Sequence, residues 1–154
     1  MAQAIVARRD GDAFQARLFW GRAARLLDPH GHVRRVGFES GPGGFDDIWV
    51  EYELGHGPVD PEGAPLGRVH MQCKWHVAPG AYGHAALVDP EFINAKSRSL
   101  LQRARQAQVA HAPDGRGIRF QLLGARRLGK LISSRSAGIW RRFVLGGLRD
   151  KCPR

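Results

Sequence analysis

The chain has 154 residues, of which 43% are hydrophobic, and its 24 Lys and Arg against 14 Asp and Glu give a formal net charge of +10. This length suits one domain with its own core, and no apolar run approaches the roughly 18–20 residues that cross a bilayer. The N-terminus lacks the apolar segment of a secretory signal, and the two distant cysteines, Cys73 and Cys152, exclude a disulfide framework and a CxxC zinc site. The sequence therefore predicts a single domain over residues 1–154, in the cytoplasm and without a membrane segment.

The excess of positive charge is confined to the last third of the sequence. Residues 1–100 hold 11 basic and 12 acidic side chains, whereas residues 101–154 hold 13 basic and two acidic ones. Such a block is typical of chains that bind a polyanion, above all nucleic acid. A solvated tail in an arginine-rich chain explains the same count. The candidate phosphate contacts are two arginine pairs: Arg126, Arg127, Arg141 and Arg142. The alternative is that these arginines form a solvated face.

Two segments have the residue spacing of helices. Residues 12–27 place Phe14 and Leu18 on an apolar stripe flanked by arginines, with Asp12 as the expected N-cap. Residues 89–110 begin with Asp-Pro-Glu, which indicates a helix start because proline fits the first turn.

Four segments rich in β-branched and aromatic residues predict strands, and glycine and proline bound them. They are residues 33–39, 45–54, 68–77 and 117–123. The first three predict an antiparallel meander, and the second helix then crosses over to the fourth strand. This order predicts an α/β fold in which helices cover a mixed sheet.

The candidate chemistry lies on the second and third predicted strands, which carry Asp46-Asp47 and Gln72-Cys73-Lys74. Because side chains alternate along a strand, Gln72 and Lys74 share a face, and pairing of the two strands would bring Asp47 to the same point. Carboxylate and amide oxygens suit Mg²⁺, and the Cys73 carbonyl offers another oxygen. Lys74 would orient or deprotonate a water that attacks a phosphodiester.

Other interpretations of these residues stay open. An aspartate and a Gln-x-Lys sequence occur by chance in many strands, and a lysine in an apolar strand can face solvent at a sheet edge. Alternation favours Asp47 over Asp46 as the metal ligand, because Asp46 shares its face with apolar neighbours, but a β-bulge at the glycine-rich turn would reverse this. His70 and His76 lie either near a reacting phosphate or at partly exposed strand positions. Three tryptophans are expected in the core rather than against bases: Trp20, Trp49 and Trp75.

Four segments resemble one family of nucleases: GDAFQARLFW over residues 11–20, FDDI over 45–48, QCKWH over 72–76 and LVDPEFI over 87–93. With the order of helices and strands, they resemble the PD-(D/E)XK restriction-endonuclease-like superfamily and its αβββαβ core. The resemblance is greatest to the double-stranded DNA endonuclease module of bacterial anti-phage effectors. That module occurs in CBASS systems as the nuclease associated with CD-NTases, and at the N-terminus of Avs-type STAND NTPases. The resemblance covers about residues 10–145.

This resemblance implies an endonuclease that needs Mg²⁺, or Mn²⁺ in its place, and that cuts double-stranded DNA with little sequence specificity. The implied site has Asp47, with Asp46, as metal ligand, Gln72 in the second ligand position and Lys74 as the catalytic lysine. Nucleases of this kind are switched on by oligomerisation, so a homo-oligomer is expected.

Two further residues match the family. Glu39 resembles an additional acidic position of the metal site, with a surface carboxylate as the alternative. Gln15 lies in the opening motif and would contact the site or the DNA, or serve as a structural hydrogen-bonding residue.

The sequence also departs from the family. Phe45 stands where the superfamily name has proline, and Gln72 replaces a carboxylate, which is normal for this family but thins the negative charge around a metal. A sensor follows the nuclease in the family, either a SAVED domain for cyclic oligonucleotides or an NTPase with repeats. The sequence ends without one, so we expect an excised module or a variant controlled by a separate partner. The competing interpretation is a non-catalytic DNA-binding or assembly module, and an enzyme acting on RNA is a third.

Overall fold

A five-stranded mixed sheet organises the computed structural model, which describes residues 2–75, 84–124 and 143–147. In spatial order its strands are β1 (Val33–Phe38), β2 (Ile48–Tyr52), β3 (Arg68–Lys74), β4 (Ile118–Gly124) and β5 (Phe143–Gly147). The first three form an antiparallel meander, whereas β4 is parallel to β3 and β5 is parallel to β4. The predicted α/β class, the meander and the crossover are therefore confirmed. The strand β5 had not been predicted.

The helices of the described ranges are α1 (Ala2–Ala23), α2 (His84–Val88) and α3 (Leu100–His111), with short 3-10 helices at Ala24–Leu27 and Pro90–Ile93. None of them is both long and apolar enough to cross a membrane. The helix α1 begins at Ala2, so Asp12 lies inside it, and the predicted N-cap is wrong. The residues before Asp12 include three alanines, and their helix propensity extends the helix towards the N-terminus, beyond the apolar stripe that marked its expected start.

The predicted helix over 89–110 is divided in two. Asp89 caps the 3-10 helix by accepting a hydrogen bond from the backbone of Glu91, and Asn94 ends it in the left-handed region with φ of 54°. Ser99 and Gln102 then form a capping box that starts α3. The left-handed conformation of Asn94 and the N-cap at Ser99 therefore divide the segment that the residue pattern predicted as one helix.

The sheet packs on both faces, and β3 is buried from Val69 to Cys73. We call the two sides the α1 face and the α3 face after the helices that cover them. The buried members of the α1 face are Phe14, Ile48, Val50, Leu66, Val69, Met71, Cys73 and Leu123. Those of the α3 face are Phe45, Leu87, Leu100, Ala104, Ala107, Phe120 and Leu122.

The tryptophans depart from the expected core positions. Trp20 is 68% exposed and Trp75 is 39% exposed, although the ring of Trp75 lies 5.7 Å from that of Phe14. Trp49 is half-buried because its indole lies across Gly37, where any Cβ would collide with it. The prediction of a core position is therefore wrong for Trp20 and Trp75.

Candidate functional site

The segment between β1 and β2 carries the two adjacent aspartates into the sheet. The backbone N–H of Glu39 donates to the carbonyl of Asp47 at 3.0 Å, and that of Ser40 donates to the carbonyl of Asp46 at 3.0 Å. These bonds continue the antiparallel pairing beyond the end of β1. Asp46 and Asp47 are thus held in register although they precede the first residue of β2.

Phe45 anchors the same segment in the core. It is fully buried and packs edge-to-face on Phe120 of β4, with ring centroids 5.3 Å apart. Gly41 allows the tight turn, since a Cβ there would lie 2.5 Å from the carbonyl oxygen of Phe45. Gly44 has φ of +90°, which favours glycine, and it is buried. The glycine-rich turn therefore has a defined conformation that fixes the aspartates after it.

Asp47 meets β3 at the candidate site. Ile48 pairs with Met71, so Asp47 stands opposite Gln72. The Oδ2 atom of Asp47 accepts a hydrogen bond from Gln72 Nε2 at 2.6 Å and another from the backbone N–H of Cys73 at 2.6 Å. The amide nitrogen of Gln72 is used in this way, which leaves its Oε1 atom as the oxygen to offer a cation.

Burial shifts the ionisation of both charged groups at the site. It raises the pKa of Asp47, and the nearby charge of Asp46 adds to the rise, while the hydrogen bond from Cys73 and the charge of Lys74 oppose it. Burial also lowers the pKa of Lys74, against the attraction of Asp47 and with the repulsion of Arg103. Both pKa values move towards neutrality, as is common for acid–base groups in active sites.

The oxygen donors at this point are the carboxylate of Asp47 and the amide of Gln72, and the Asp46 carboxylate is close enough for its charge to raise the pKa of Asp47. Mg²⁺ takes one or two carboxylates and keeps several of its waters, so this set suits it. A cation here would relieve the repulsion between the two carboxylates that contributes to the raised pKa of Asp47. Within the described ranges no three His, Cys, Asp or Glu side chains come close enough to hold a metal ion, so Glu39, which is exposed, does not complete an acidic triad.

Other predicted residues lie apart from this contact or outside the described residues. Gln15 is half-buried on α1, and in the described part of the chain no hydrogen bond joins it to Asp47, Gln72 or Lys74. His76 lies outside the described residues. So do the four arginines that are predicted to contact phosphate: Arg126, Arg127, Arg141 and Arg142.

His70 is buried rather than partly exposed, so that expectation is wrong. It is 4% exposed, and its ring stacks on Phe120 at 5.7 Å between centroids. Its Nδ1 atom has no hydrogen-bond partner among the described residues. Burial lowers the pKa of His70 to about 4, so its imidazole is neutral at pH 7. The side chain is covered because the glycine-rich turn closes over it, with a Cβ on Gly41 reaching within 3.3 Å of Nδ1.

Arg103 belongs to the surroundings of the site although no sequence pattern had singled it out. It lies on α3, its stem lines Gly44, and its charge lowers the pKa of Lys74. Its helical position gave no signal, because its neighbours depend on how the glycine-rich turn packs on α3.

Comparison with known proteins finds a relative in sequence. The chain is 31% identical over 160 aligned residues to CD-NTase-associated protein 4 of Enterobacter hormaechei subsp. hoffmannii (strain UCI 50). The alignment covers 98% of this chain but 31% of that protein, so the chain spans about a third of the length of its relative. No family model matches the chain. The similarity agrees with the sequence resemblance as far as CD-NTase-associated proteins are concerned.

Proposed function

We propose that the chain is a metal-dependent endonuclease that cleaves double-stranded DNA with little sequence specificity, as an effector of a bacterial anti-phage defence system. The observation that carries this proposal is the meeting of Asp47 with Gln72 and the Cys73 backbone, beside Lys74, at one end of the sheet. The similarity to a CD-NTase-associated protein supports the role in defence.

The side chains have distinct roles in the proposed reaction. Asp46, Asp47 and Gln72 would hold Mg²⁺, or Mn²⁺ in its place. Bound metal supplies polarisation of the phosphodiester and a lowered pKa of water. The hydrogen bond from the Cys73 backbone fixes the direction of the Asp47 carboxylate.

Lys74 is the residue that acts on the attacking water. Its pKa is lowered by burial, which brings it closer to the range in which an amine accepts a proton at neutral pH. In its charged form, the same Nζ atom would stabilise the negative charge that develops on the phosphate. Lys74 is therefore proposed as the catalytic lysine.

The cellular setting is part of the proposal. We place the chain in the cytoplasm, where it would act as a homo-oligomer on double-stranded DNA. A sensor, either a cyclic-oligonucleotide-binding domain or an NTPase, would control it, as the sequence resemblance implies.

A plasmid-cleavage assay tests the proposal. Supercoiled plasmid is incubated with the chain in Mg²⁺, Mn²⁺ or EDTA, with RNA as a parallel substrate, and the chain is also assayed after fusion to an inducible dimerisation domain. We expect nicking and linearisation with either metal and none in EDTA. Lys74→Ala should abolish cleavage, whereas Lys96→Ala, a change at an exposed lysine before α3, should leave it unchanged. Full activity in a folded Lys74→Ala protein would overturn the assignment.

A non-catalytic DNA-binding or assembly module is the second candidate. It is favoured by the amide of Gln72 in place of a carboxylate and by the lack of a three-residue ligand group among the described residues. Such a module would bind DNA with strong salt dependence. It would show no metal-dependent cutting in any arm of the plasmid assay, including the dimerised one.

A further inference from the structure

Arg103 approaches the candidate site from α3 across the glycine-rich turn. A Cβ on Gly44 would lie 2.8 Å from Cδ and 2.9 Å from Cβ of Arg103, so the stem of the arginine occupies the space that a side chain at 44 would need. The first turn of α3 is fixed by its capping box, and the backbone N–H of Arg103 donates to the carbonyl of Ser99 at 3.1 Å. The direction in which Arg103 leaves the helix is therefore constrained at both ends of its stem.

The neighbouring arginines of this region have side-chain partners. Arg98 donates to Gln106 Oε1 at 2.7 Å, and Arg105 donates to Gln108 Oε1 at 3.4 Å. Arg103 is half-buried, and no carboxylate of the described residues lies within ion-pair distance of its guanidinium. No described carboxylate neutralises this cation, so its charge is available to an anionic ligand.

The charges around Arg103 indicate which anion fits. Lys74 is a second cation within electrostatic reach of Arg103, and the aspartates whose charges act on Lys74, Asp47 and Asp46, would be occupied by a metal ion in the proposed reaction. Arg103 and Lys74 would then have no carboxylate partner at the site, and both could bind a ligand with negatively charged oxygens. A guanidinium donates two parallel hydrogen bonds to a phosphate, whereas an ammonium acts as a point charge, so Arg103 and Lys74 are complementary in this role.

We propose that Arg103 binds a phosphate of the nucleic-acid backbone at the candidate site, next to the bond that is cut. This inference rests on the proposed function and adds a substrate-binding residue to it. The packing of its stem on Gly44 holds the guanidinium on the side of the site that faces α3.

The test compares charge removal at Arg103 with the same change at an exposed arginine of α3. Arg103→Met keeps a stem of similar length and removes the charge, and Arg105→Met is the matched control. Binding of a short fluorescent DNA duplex is measured by anisotropy in EDTA at several salt concentrations, and cleavage is measured with Mg²⁺. We expect Arg103→Met to reduce the slope of log affinity against log salt by about one phosphate contact and to lower kcat at least about 10-fold. Arg105→Met should stay within about 2-fold of the unaltered chain in kcat.

The outcomes separate this inference from the proposed function. If the unaltered chain cuts DNA and the two methionine variants behave alike, the role of Arg103 is overturned and the nuclease assignment stands. If the unaltered chain neither binds nor cuts DNA, both are overturned. Thermal melting checks the fold of each variant. Should Arg103→Met fail to fold, Arg103→Lys against Arg105→Lys decides: a lower kcat in Arg103→Lys alone supports the two-bond contact, and equal kcat values overturn it.

Discussion

The two faces of β3 differ in chemistry although one strand supplies both. On the α1 face it contributes Val69, Met71 and Cys73, and by alternation it contributes His70, Gln72 and Lys74 to the α3 face. The first set is apolar, and burial raises the pKa of the Cys73 thiol to about 12, so the thiol stays protonated. The second set brings a neutral imidazole, an amide and an amine under the glycine-rich turn and α3. Packing alone explains the residues that β3 contributes to the α1 face, whereas the polar residues on the α3 face need a further explanation.

That explanation is the cost of burying polar groups. An apolar side chain gains free energy on burial, while a polar one loses it unless a partner replaces water. Gln72 finds Asp47, but the Nδ1 atom of His70 has no partner among the described residues. Stability alone would favour apolar residues at these positions. Their presence is what we expect of a face that serves binding or chemistry, as the proposed function requires.

The largest effect that tests this difference between the two faces is expected on removal of the Asp47 carboxylate. We expect Asp47→Asn and Asp47→Ala each to reduce DNA cleavage at least about 100-fold, because the metal ligand is lost in both. They should differ in stability, since Asp47→Ala also leaves the Gln72 amide and the Cys73 N–H without an acceptor, at about 1–3 kcal/mol. Cleavage rates and urea unfolding measure the two effects.

The control for that experiment is Asp60→Asn in the connection between β2 and β3. Asp60 accepts hydrogen bonds from the backbones of Glu62 and Ala64 and lies outside the site. Its change should leave cleavage unaltered. If Asp47→Asn cleaved DNA as well as Asp60→Asn does, the α3 face would lose its assigned function.

The opposite result is expected on the α1 face. Ile48 is fully buried there, and Ile48→Ala should lower the free energy of unfolding by about 2–5 kcal/mol through lost contacts and a cavity. The rate of cleavage per folded molecule should stay the same, because the site lies on the other face. Urea unfolding gives the stability, with Val109→Ala, at a 55% exposed position, as the control. A selective loss of kcat in folded Ile48→Ala protein would contradict the separation of the two faces.

The sequence allowed the strand order and the meeting of Asp47 with Gln72 to be predicted, for a simple physical reason. The side-chain period of a strand is two residues whatever the surroundings, so the face of each residue follows once two strands are known to pair. The glycine-rich turn marked where that pairing begins. Residues 2–75 therefore carried most of the predictable information.

Features that depend on tertiary packing were not predictable. Asn94 interrupts the second helix through a left-handed backbone conformation, which the residue pattern does not show. The burial of His70 depends on the turn that closes over it. The stem of Arg103 packs against position 44 only because that residue is a glycine. In each case the outcome is set by residues distant in sequence.

The neutral imidazole of His70 predicts a pH dependence of stability. Burial, the charge of Arg68 and that of His111 lower its pKa from 6.5 to about 4, so the unfolded chain binds more protons than the folded chain between those values. The contribution of His70 to the free energy of unfolding is therefore largest above pH 6.5, falls as the pH drops, and levels off below about pH 4. The whole change amounts to up to about 3 kcal/mol.

His70→Gln isolates this effect. Asp47 has a raised pKa and acts in the opposite direction, since its folded form binds the extra proton, but it is present in both proteins. Urea unfolding in EDTA from pH 7 to pH 4 should give a steeper loss of stability in the unaltered chain than in the variant. If the two proteins lose stability with falling pH at the same rate, His70 either is charged in the folded state or is not buried.

The smallest effect is expected where the α3 side of the sheet opens to solvent. By strand alternation Glu51 lies on the same side as Asp47; it accepts a hydrogen bond of 2.8 Å from Arg35 and contacts Arg68, and Arg68 covers the ring of Trp49 at 5.0 Å. The side chain of Glu51 is only 12% exposed, but those of Arg35 and Arg68 are 64% and 38% exposed, so water and salt screen these pairs from the arginine side. Glu51→Gln should cost about 1 kcal/mol or less in urea unfolding, and the difference should shrink further in 1 M salt. A loss as large as that expected for Asp47→Ala would mean that ion pairs with exposed arginines are as important for stability as the hydrogen bonds of Asp47, and the candidate site would then not stand out on this side of the sheet.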